Sequence, residues 1–351
     1  MQLTYDILKT YQENYDAGPS LEGGGVTCPE VPLKRLLGYQ VRSRLGIAAG
    51  LLLNSRWIEA YSSLGFDLLT YKTVRSSYRP CYPLPNWVFV SDDGQINGPI
   101  YYRESPPEDT SAVTSSVCFG MPSMSPDVWR PDVARAKEAL RDGQLLIVSV
   151  VGTPEAGWGG EEMANDFAEC AAWAVEAGAD IVEANLSCPN VCTAEGSIYL
   201  DPEFSRGVAT TVRSRIGKVP LLMKVGYFEE ESLMRSFLQA VSAAVDGVTM
   251  VNGLTRPVLY PDGRPVFGSD YVQAGVLGRS IHRASVQSVQ MAKRIARSEG
   301  LDLSVLAVGG ASVLADIKDF FDVGADAVLM GSSPMYCPSL AADAKLHCRD
   351  W

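Results

Sequence analysis

The feature that most constrains the fold is an alternation of short apolar runs with longer helical patterns, which begins near residue 44. A short apolar run bounded by Gly or polar residues is typical of a buried strand, and a helical pattern between two such runs indicates a crossover connection between parallel strands. The eight predicted strands are RLGIAAG (44–50), DLLTYKTV (67–74), QLLIVSVVG (144–152), ADIVEANLS (179–187), PLLMKVG (220–226), GVTMVNG (247–253), LSVLAVGG (303–310) and AVLMGSS (327–333).

The segments between these runs carry apolar residues at three- and four-residue spacings, most clearly at 161–178 and 312–324, which both end in Gly. Eight strand–helix units in about 300 residues predict an α/β protein whose single domain, 1–351, is a closed (β/α)8 TIM barrel. The alternative is an open doubly wound sheet. Its first strand should lead into a G-x-G-x-x-G turn, and none follows GIAAG.

Two long stretches interrupt the alternation. Residues 75–130 are rich in Pro, Ser and Tyr, and residues 254–279 are rich in Gly and Pro. Both follow predicted strand ends, so they are expected to be insertions over the carboxyl-end face of the barrel, where barrel enzymes keep their active sites. Residues 1–40 are expected to form a short helix and an extended lead-in.

Composition narrows the class of protein. The chain has 30 Lys and Arg against 41 Asp and Glu, a net charge of −11, and no basic block, which argues against nucleic-acid binding. Its eight cysteines lack paired spacings, which indicates reduced thiols. We find no signal-peptide pattern and no apolar run of the roughly 18 to 20 residues that a membrane helix needs. We therefore expect a soluble cytoplasmic protein without a membrane partner.

Chemically informative residues collect at the carboxyl ends of the predicted strands. Each has an ordinary explanation alone, since a terminal Lys usually reaches solvent, Gly-Gly often makes a tight turn and a buried Cys is usually a small apolar residue. Their coincidence at one end of a barrel favours a site. They are Ala48, Ala49, Gly50, Lys72, Thr73, Asn185, Ser187, Cys188, Asn190, Lys224, Asn252, Gly253, Gly309, Gly310, Gly331 and Ser332.

The last two strand ends indicate a phosphate site. Barrels commonly bind phosphate with the loops after their last two strands, where glycines let backbone N–H groups approach the anion. VGGAS (308–312) and MGSS (330–333) have this character, and Gly275 and Gly278 of QAGVLGRS are expected to add a third wall. A phosphorylated substrate or cofactor is predicted.

The two lysines allow two kinds of chemistry. Lys72 or Lys224 is the nucleophile of a Schiff-base aldolase in one interpretation, and in the other they supply positive charge to a reduced flavin. The asparagines near Asn185 favour the flavin, because amides match the alternating N–H and C=O edge of a pyrimidine-like ring.

Cys188 is the candidate proton acceptor near neutral pH, because the only histidines, His282 and His347, are not at strand ends. A metal site of Cys188 and Cys192 is less favoured, since the sequence offers no second Cys/His pair for it. No metal is expected.

Five motifs, NLSCPNV, KVG, VNG, VGGAS and VLMGSS, occur in this order, and together they resemble the dihydroorotate dehydrogenase family. These proteins are FMN-dependent (β/α)8 barrels that oxidise dihydroorotate to orotate. The resemblance runs from about residue 40 to residue 346, is most specific at NLSCPNV, and is nearest to the cytosolic class, which uses a cysteine base. It implies FMN, a small dihydropyrimidine substrate, a role in pyrimidine biosynthesis and a cytoplasmic homodimer.

The resemblance also implies roles for individual residues. Cys188 would remove the C5 proton while hydride passes to FMN N5, and Lys72 would lie near both flavin and substrate as a second catalytic residue. The implied substrate contacts are Asn185, Asn190 and Asn252, with backbone N–H groups of Phe119, Gly120 and Met121. The implied FMN contacts are Ala48, Ala49, Gly50, Lys72, Thr73, Asn185, Lys224, Gly278, Gly309, Gly310, Gly331 and Ser332.

The chain departs from the family pattern in the loop expected to grip the substrate. The cytosolic class has a loop like N-S-M-G-L-P-N, and here VCFGMPS has Val117 and Ser123 in the asparagine places, while Gly253 replaces a hydroxyl residue. Each buried group left unpaired costs about 1–3 kcal/mol. Leu53 also stands where the membrane-associated class has a lysine. The alternative is a divergent member that oxidises or reduces a different cyclic or enoyl C–C bond.

Other functions fit less well. A tRNA dihydrouridine synthase is disfavoured because Ser187 precedes the cysteine and the chain is acidic. A flavin-binding protein that has lost catalysis is disfavoured because Cys188, Lys72 and Lys224 are present. Residues 1–40 are too polar for a quinone-binding helical pair, which leaves fumarate, oxygen or a partner protein as electron acceptor.

Overall fold

The computed structural model describes residues 3–21, 28–91, 93–187 and 197–351. Within these ranges the strands are, in chain order, β1 (Lys34–Leu36), β2 (Tyr39–Val41), β3 (Leu45–Ile47), β4 (Leu68–Val74), β5 (Trp87–Val90), β6 (Ile100–Arg103), β7 (Thr114–Val117), β8 (Leu145–Val150), β9 (Ile181–Asn185), β10 (Leu221–Val225), β11 (Gly247–Met250), β12 (Leu254–Leu259), β13 (Gln273–Gly278), β14 (Ser304–Val308) and β15 (Ala327–Met330).

Eight parallel strands close into a barrel, in the spatial order β3-β4-β8-β9-β10-β11-β14-β15. Each of the eight apolar runs predicted to be a strand contains one of them, and every one is buried along its length except at Ser304, the first residue of β14. The predicted (β/α)8 barrel is therefore confirmed. The burial explains why the runs are nearly continuous in hydrophobicity, since strands of a parallel sheet are covered on both faces.

Helices cover the outside of the barrel and also form part of the N-terminal segment. The two clearest helix predictions, 161–178 and 312–324, correspond to α4 and α8, and each helix ends just before a glycine with positive φ, Gly178 or Gly324. The helices are α1 (Tyr11–Ala17), α2 (Ser55–Ser63), α3 (Pro126–Glu138), α4 (Gly160–Glu176), α5 (Pro202–Ile216), α6 (Glu231–Val241), α7 (His282–Glu299), α8 (Leu314–Asp322) and α9 (Leu340–His347). Among the described helices, none has the length and apolar character required to cross a bilayer.

The amino-terminal end of the barrel is closed by a hairpin. Strands β1 and β2 pair antiparallel, and their buried residues Leu36 and Val41 join the apolar cluster inside the barrel, which includes Ile147, Leu222 and Leu306. Inward-facing apolar residues fill this end of the barrel, so space for a ligand is left at the opposite, carboxyl end.

The two long insertions form one small sheet rather than separate loops. Strands β5, β6 and β7 of 75–130 and strands β12 and β13 of 254–279 close on one another in the order β12-β13-β7-β5-β6. Residues such as Val88, Val258 and Val276 give this sheet an apolar core of its own. Trp87, Val117 and Leu277 from this sheet line the same cavity as the carboxyl ends of the barrel strands.

Candidate active site

A cavity lies between the carboxyl ends of the barrel strands and the small sheet. Its empty space, counted with the open mouth, is about 940 Å³. Most of the residues predicted for the site line it together. They are Ala48, Ala49, Gly50, Lys72, Thr73, Phe119, Met121, Asn185, Lys224, Asn252, Gly278, Gly309, Gly310, Gly331 and Ser332.

Some of the predicted site residues are not among those lining residues. Cys188 and Asn190 lie outside the described residues. Gly120 lies beside the cavity. The ring of Tyr82 packs against its Cα, and a Cβ on Gly120 would clash with that ring at 2.5 Å. Gly275, expected as part of a third wall, instead pairs with Val117 in the small sheet, while Gly278 lines the cavity.

Lys224 lies at the floor of the cavity. Its side chain comes from β10, and its Nζ donates a hydrogen bond to the backbone oxygen of Ala49, at 3.3 Å, just after β3. Because β10 and β3 are four places apart in the ring of eight strands, the lysine reaches across the barrel. The residue is only 2 % exposed, so its positive charge acts where water screens it little.

The amide wall is built by Asn185, at the end of β9, and Asn252, just after β11. The Nδ2 of Asn252 donates to the Oδ1 of Asn185, at 3.3 Å, and also to the backbone oxygen of Ser187. The backbone N–H of Ser187 donates to the same Oδ1 at 3.2 Å. The two side chains thus hold each other in place on one wall and present fixed polar groups to a ligand.

Lys72 lies on β4, three strands from Lys224, and is also buried. Its neighbour Thr73 donates its hydroxyl hydrogen to Ser149 Oγ at 3.1 Å, which joins β4 to β8 beside the cavity. Among the described lining residues there are two lysines and no carboxylate. In a chain of net charge −11, this cavity is locally positive and suits an anionic ligand.

The loop 117–123 is fixed by Arg75, which is fully buried. Its Nε donates to the backbone oxygen of Met121 at 3.0 Å, and its backbone N–H donates to Ser123 Oγ at 3.0 Å. The hydroxyl of Ser123 in turn donates to the backbone oxygen of Met124 at 2.8 Å. Ser123 is therefore used inside the loop, and the side of the cavity formed by Val117, Phe119 and Met121 is apolar.

The glycines predicted to bind phosphate converge at one end of the cavity. Gly309 and Gly310 have φ values of +132° and +79°, and a Cβ on Gly310 would lie 2.5 Å from the backbone oxygen of Gly278. The position where Gly331 would carry a Cβ is open space, and Gly331 lines the cavity. The bare backbone here leaves a recess of the kind that a phosphate group fills. We call it the glycine recess, and it is formed by Gly278, Gly309, Gly310, Gly331 and Ser332.

Ser312 and Ser333, the last residues of VGGAS and MGSS, add hydroxyl groups beside the glycines, as those motifs predict. Other lining residues were not predicted. Trp87 and Leu277 reach the cavity from the small sheet, and no local pattern in the sequence indicates that. Their contribution depends on how the two insertions pair.

The barrel and its positive, amide-lined cavity define a (β/α)8 barrel enzyme with a site for an anionic ligand. Comparison with known proteins gives the family. The model of the family described as dihydroorotate dehydrogenase matches residues 120–343. A dihydroorotate dehydrogenase from Dictyostelium discoideum is 33% identical over 96% of this chain and 95% of its own length. The chain therefore belongs to the dihydroorotate dehydrogenase family.

Two further comparisons agree with this assignment. A dihydroorotate dehydrogenase A (fumarate) from Limosilactobacillus reuteri is 28% identical over 48% of this chain and 53% of its own length. The crystal structure of DHODH from Eimeria tenella in complex with ferulenol has a TM-score of 0.67, covers 87% of this chain and 80% of that one, and is 18% identical, which supports the fold. The predicted class, an oxidoreductase acting on CH–CH bonds, is confirmed, since this family oxidises dihydroorotate to orotate.

Proposed function

We propose that this protein oxidises dihydroorotate to orotate with FMN as its cofactor and Cys188 as the base. The observation that carries the proposal is that Lys224, the Asn185–Asn252 pair and the glycine recess share one cavity. Lys224 matches an electron-rich ring, and the Asn185–Asn252 pair matches a ring with N–H and C=O edges. The glycine recess matches a phosphate. No other described cavity combines them.

The residues of the cavity fit FMN. Bound there, FMN would accept the hydride from the substrate. Lys224 and Lys72 would place positive charge near the flavin. The backbone around Ala48, Ala49 and Gly50, with Thr73 and Asn185, would line its ring, and the recess formed by Gly278, Gly309, Gly310, Gly331 and Ser332 would hold its phosphate. The open space beside Gly331 supports this placement of the phosphate, because a side chain at that position would take up the space.

The substrate would lie between the amide wall and the loop 117–123. Asn185, Asn190 and Asn252 would hold the ring amides, and the backbone N–H groups of Phe119, Gly120 and Met121 would hold the carboxylate. Cys188 would take the C5 proton. In support, Ser187, the described residue that precedes it, accepts the hydrogen bond of Asn252 in the amide wall.

The apolar side of the cavity favours a second candidate. Val117, Phe119 and Met121 offer no hydrogen-bonding side chain where the family's loop has asparagines, and the Ser123 hydroxyl is hydrogen-bonded to Arg75 and Met124. A substrate with the same ring edge but a less polar opposite side would fit this wall. The second proposal is therefore oxidation or reduction of a different cyclic or enoyl C–C bond.

Anaerobic reduction of the flavin tests both proposals. The purified protein, reconstituted with FMN, is mixed with dihydroorotate and with a panel of dihydropyrimidines and enoyl compounds, and the flavin absorbance is followed. Bleaching by dihydroorotate at the highest kcat/KM of the panel supports the first proposal. Bleaching by another compound alone supports the second, and failure to retain any flavin refutes both.

The location, the oligomeric state, the metabolic role and the electron acceptor are also proposals. We propose a cytoplasmic homodimer that acts in pyrimidine biosynthesis, which the family resemblance supports, and sedimentation velocity of the purified protein checks the dimer. The electron acceptor is testable on the reduced enzyme. Relatives named for fumarate and for NAD(+) suggest these two oxidants for the first trial, with oxygen as the third.

A further inference from the structure

The N-terminal segment, residues 3–21, lies against two loops of the cavity. At one end, the backbone N–H of Thr4 donates to the backbone oxygen of Met335 at 2.9 Å, and Thr4 Oγ1 is 2.6 Å from the hydroxyl of Tyr61. Tyr61 in turn donates to the backbone oxygen of Pro334 at 2.9 Å. Pro334 and Met335 directly follow Ser332 and Ser333, which line the glycine recess.

The same segment also packs against the loop 117–123 through two tyrosine rings. The ring centroid of Tyr5 is 5.9 Å from that of Phe119 and 5.5 Å from that of Trp87. The ring of Tyr11 meets Phe119 edge-to-face at 5.7 Å. Phe119 and Trp87 line the cavity, whereas the tyrosines lie behind them and do not.

The segment is built to hold this shape. Asn14, in α1, is buried, and its side chain accepts from the backbone N–H of Asp6 at 2.8 Å and donates to the backbone oxygen of Asp6 at 2.9 Å. Thr10 and Glu13 form a capping box at the start of α1. The chain around Tyr5 and the helix carrying Tyr11 are thereby tied to each other, so both rings are presented to Phe119 as one rigid surface.

The backbone of the loop has other supports. The backbone N–H of Cys118 donates to the backbone oxygen of Asn86 at 2.9 Å, and the backbone N–H of Tyr82 donates to the backbone oxygen of Phe119 at 3.1 Å. The Nε of Arg75 donates to the backbone oxygen of Met121. These bonds fix the path of the chain, but they do not fix the Phe119 ring. The ring is held by its aromatic neighbours Tyr5, Tyr11 and Trp87.

We propose that Tyr5 and Tyr11 are positioning residues, which hold the Phe119 ring in the wall of the substrate cavity and connect the loop 117–123 to the loop that follows β15. The proposal rests on the proposed function for its kinetic readout. Without the tyrosine rings, Phe119 samples other rotamers, and a substrate must order the wall again when it binds. The effect therefore falls on substrate binding and spares the retention of FMN.

The experiment compares Tyr11→Ala with Tyr11→Phe in the full-length, FMN-loaded protein. We expect Tyr11→Ala to raise KM for dihydroorotate roughly threefold to tenfold, as the loss of an aromatic pair implies, with kcat changed less than KM and FMN content unchanged. Tyr11→Phe, which keeps the ring, should behave as the parent does. Leu8→Ala is the matched control in the same segment, because Leu8 is 83% exposed.

Tyr5→Phe is the second variant, since the buried Tyr5 hydroxyl has no hydrogen-bond partner among the described residues and its removal should leave the packing intact. A readout that needs no substrate is the 19F NMR line of a fluorinated phenylalanine incorporated at Phe119, which reports the ring itself. The line should broaden or split in Tyr11→Ala and stay parental in Leu8→Ala and Tyr5→Phe. A parental line in Tyr11→Ala overturns the positioning role whatever the substrate is. A broadened or split line in Tyr11→Ala, when dihydroorotate does not reduce the parent, supports the positioning role and refutes the proposed function alone.

Discussion

The Nζ of Lys224 lies 3.3 Å from the backbone oxygen of Ala49, on the opposite side of the barrel from the strand that carries the lysine. This contact places a buried positive charge at the floor of the cavity. A reduced flavin gathers negative charge near N1, and a nearby cation stabilises that form more than the oxidised form. The geometry therefore makes Lys224 the residue whose removal should change both flavin binding and flavin potential.

We expect Lys224→Met to weaken FMN binding roughly tenfold or more and to make the flavin midpoint potential more negative, because the reduced form loses its cation. Methionine keeps most of the side-chain volume, so packing changes little. The measurements are a fluorescence titration of the FMN-free protein and a redox titration of the loaded one. Lys318→Met is the control, since Lys318 is half exposed and paired with Asp322 on α8. If Lys224→Met has the FMN affinity and the flavin midpoint potential of the parent, Lys224 is not part of the flavin site.

A substitution in the glycine recess tests steric fit without changing any charge. Gly331 has space where a Cβ would point, and its φ is not in the left-handed region, so Gly331→Ala should fold normally. The added methyl group takes up space in the recess, and we expect FMN affinity to fall roughly tenfold with little change in unfolding free energy.

The matched control is Gly207→Ala. Gly207 lies within α5, its Cβ position is also open, and alanine favours a helix over glycine by about 1 kcal/mol. This variant should be slightly more stable than the parent and bind FMN equally well. Equal FMN affinities of the Gly331 and Gly207 variants would mean that the recess holds something other than the phosphate.

The barrel and most of the site's lining were predictable for a physical reason. Each strand of a parallel barrel is buried on both faces, so it leaves an apolar run in the sequence, and the carboxyl ends of all eight strands must meet at one end. Lys72, Asn185, Lys224 and Gly331 could therefore be placed together without any long-range information, and the structure brings them into one cavity.

Contacts between the insertions were not predictable in the same way. Val117 pairs with Gly275, more than a hundred residues away in the sequence, and nothing local sets that register. The tyrosines that pack on Phe119 come from a segment that looks like a polar lead-in. Ser123, expected from its place in the loop to have replaced a substrate contact, has its hydroxyl bonded to the backbone of Arg75, which only the fold can show.

The cysteines give a prediction about pH. Burial raises the pKa of the Cys81 thiol to about 12. The thiolate is the reactive form, and at pH 9, about three pH units below this pKa, roughly one Cys81 thiol in a thousand is ionised. Burial also raises the pKa of Cys170, which is fully buried. Alkylation between pH 7 and pH 9 should therefore leave both unmodified.

If Cys188 is the base, iodoacetamide in this pH range should abolish flavin reduction, and bound orotate should protect against it. Peptide mass spectrometry identifies the modified residue. Cys188→Ser should lose the sensitivity, whereas Cys348→Ser, which changes a partly exposed thiol in the last residues of the chain, should keep it. Inactivation that follows modification of Cys28 or Cys337 instead would contradict the assigned base.

The amino-terminal end of the barrel contains a buried ion pair that gives a prediction about stability. Lys345 Nζ of α9 lies 2.6 Å from Asp67 Oδ2, just before β4, and both side chains are almost fully buried. Ser43 Oγ donates to the same carboxylate oxygen at 2.5 Å. Lys345→Met leaves that carboxylate in the interior without its cation, which costs roughly 3–5 kcal/mol of unfolding free energy.

Urea unfolding followed by circular dichroism measures the loss. The double variant Lys345→Met with Asp67→Asn should recover much of it, because the remaining amide carries no charge and can still bond to Ser43 and Gln144. Lys318→Met serves as the control again, since an exposed pair contributes at most about 1 kcal/mol. A loss in Lys345→Met no larger than in Lys318→Met would show that α9 is held by its apolar contacts alone. Because this pair lies at the far end of the barrel from the cavity, FMN affinity should be unchanged in every folded variant of the series.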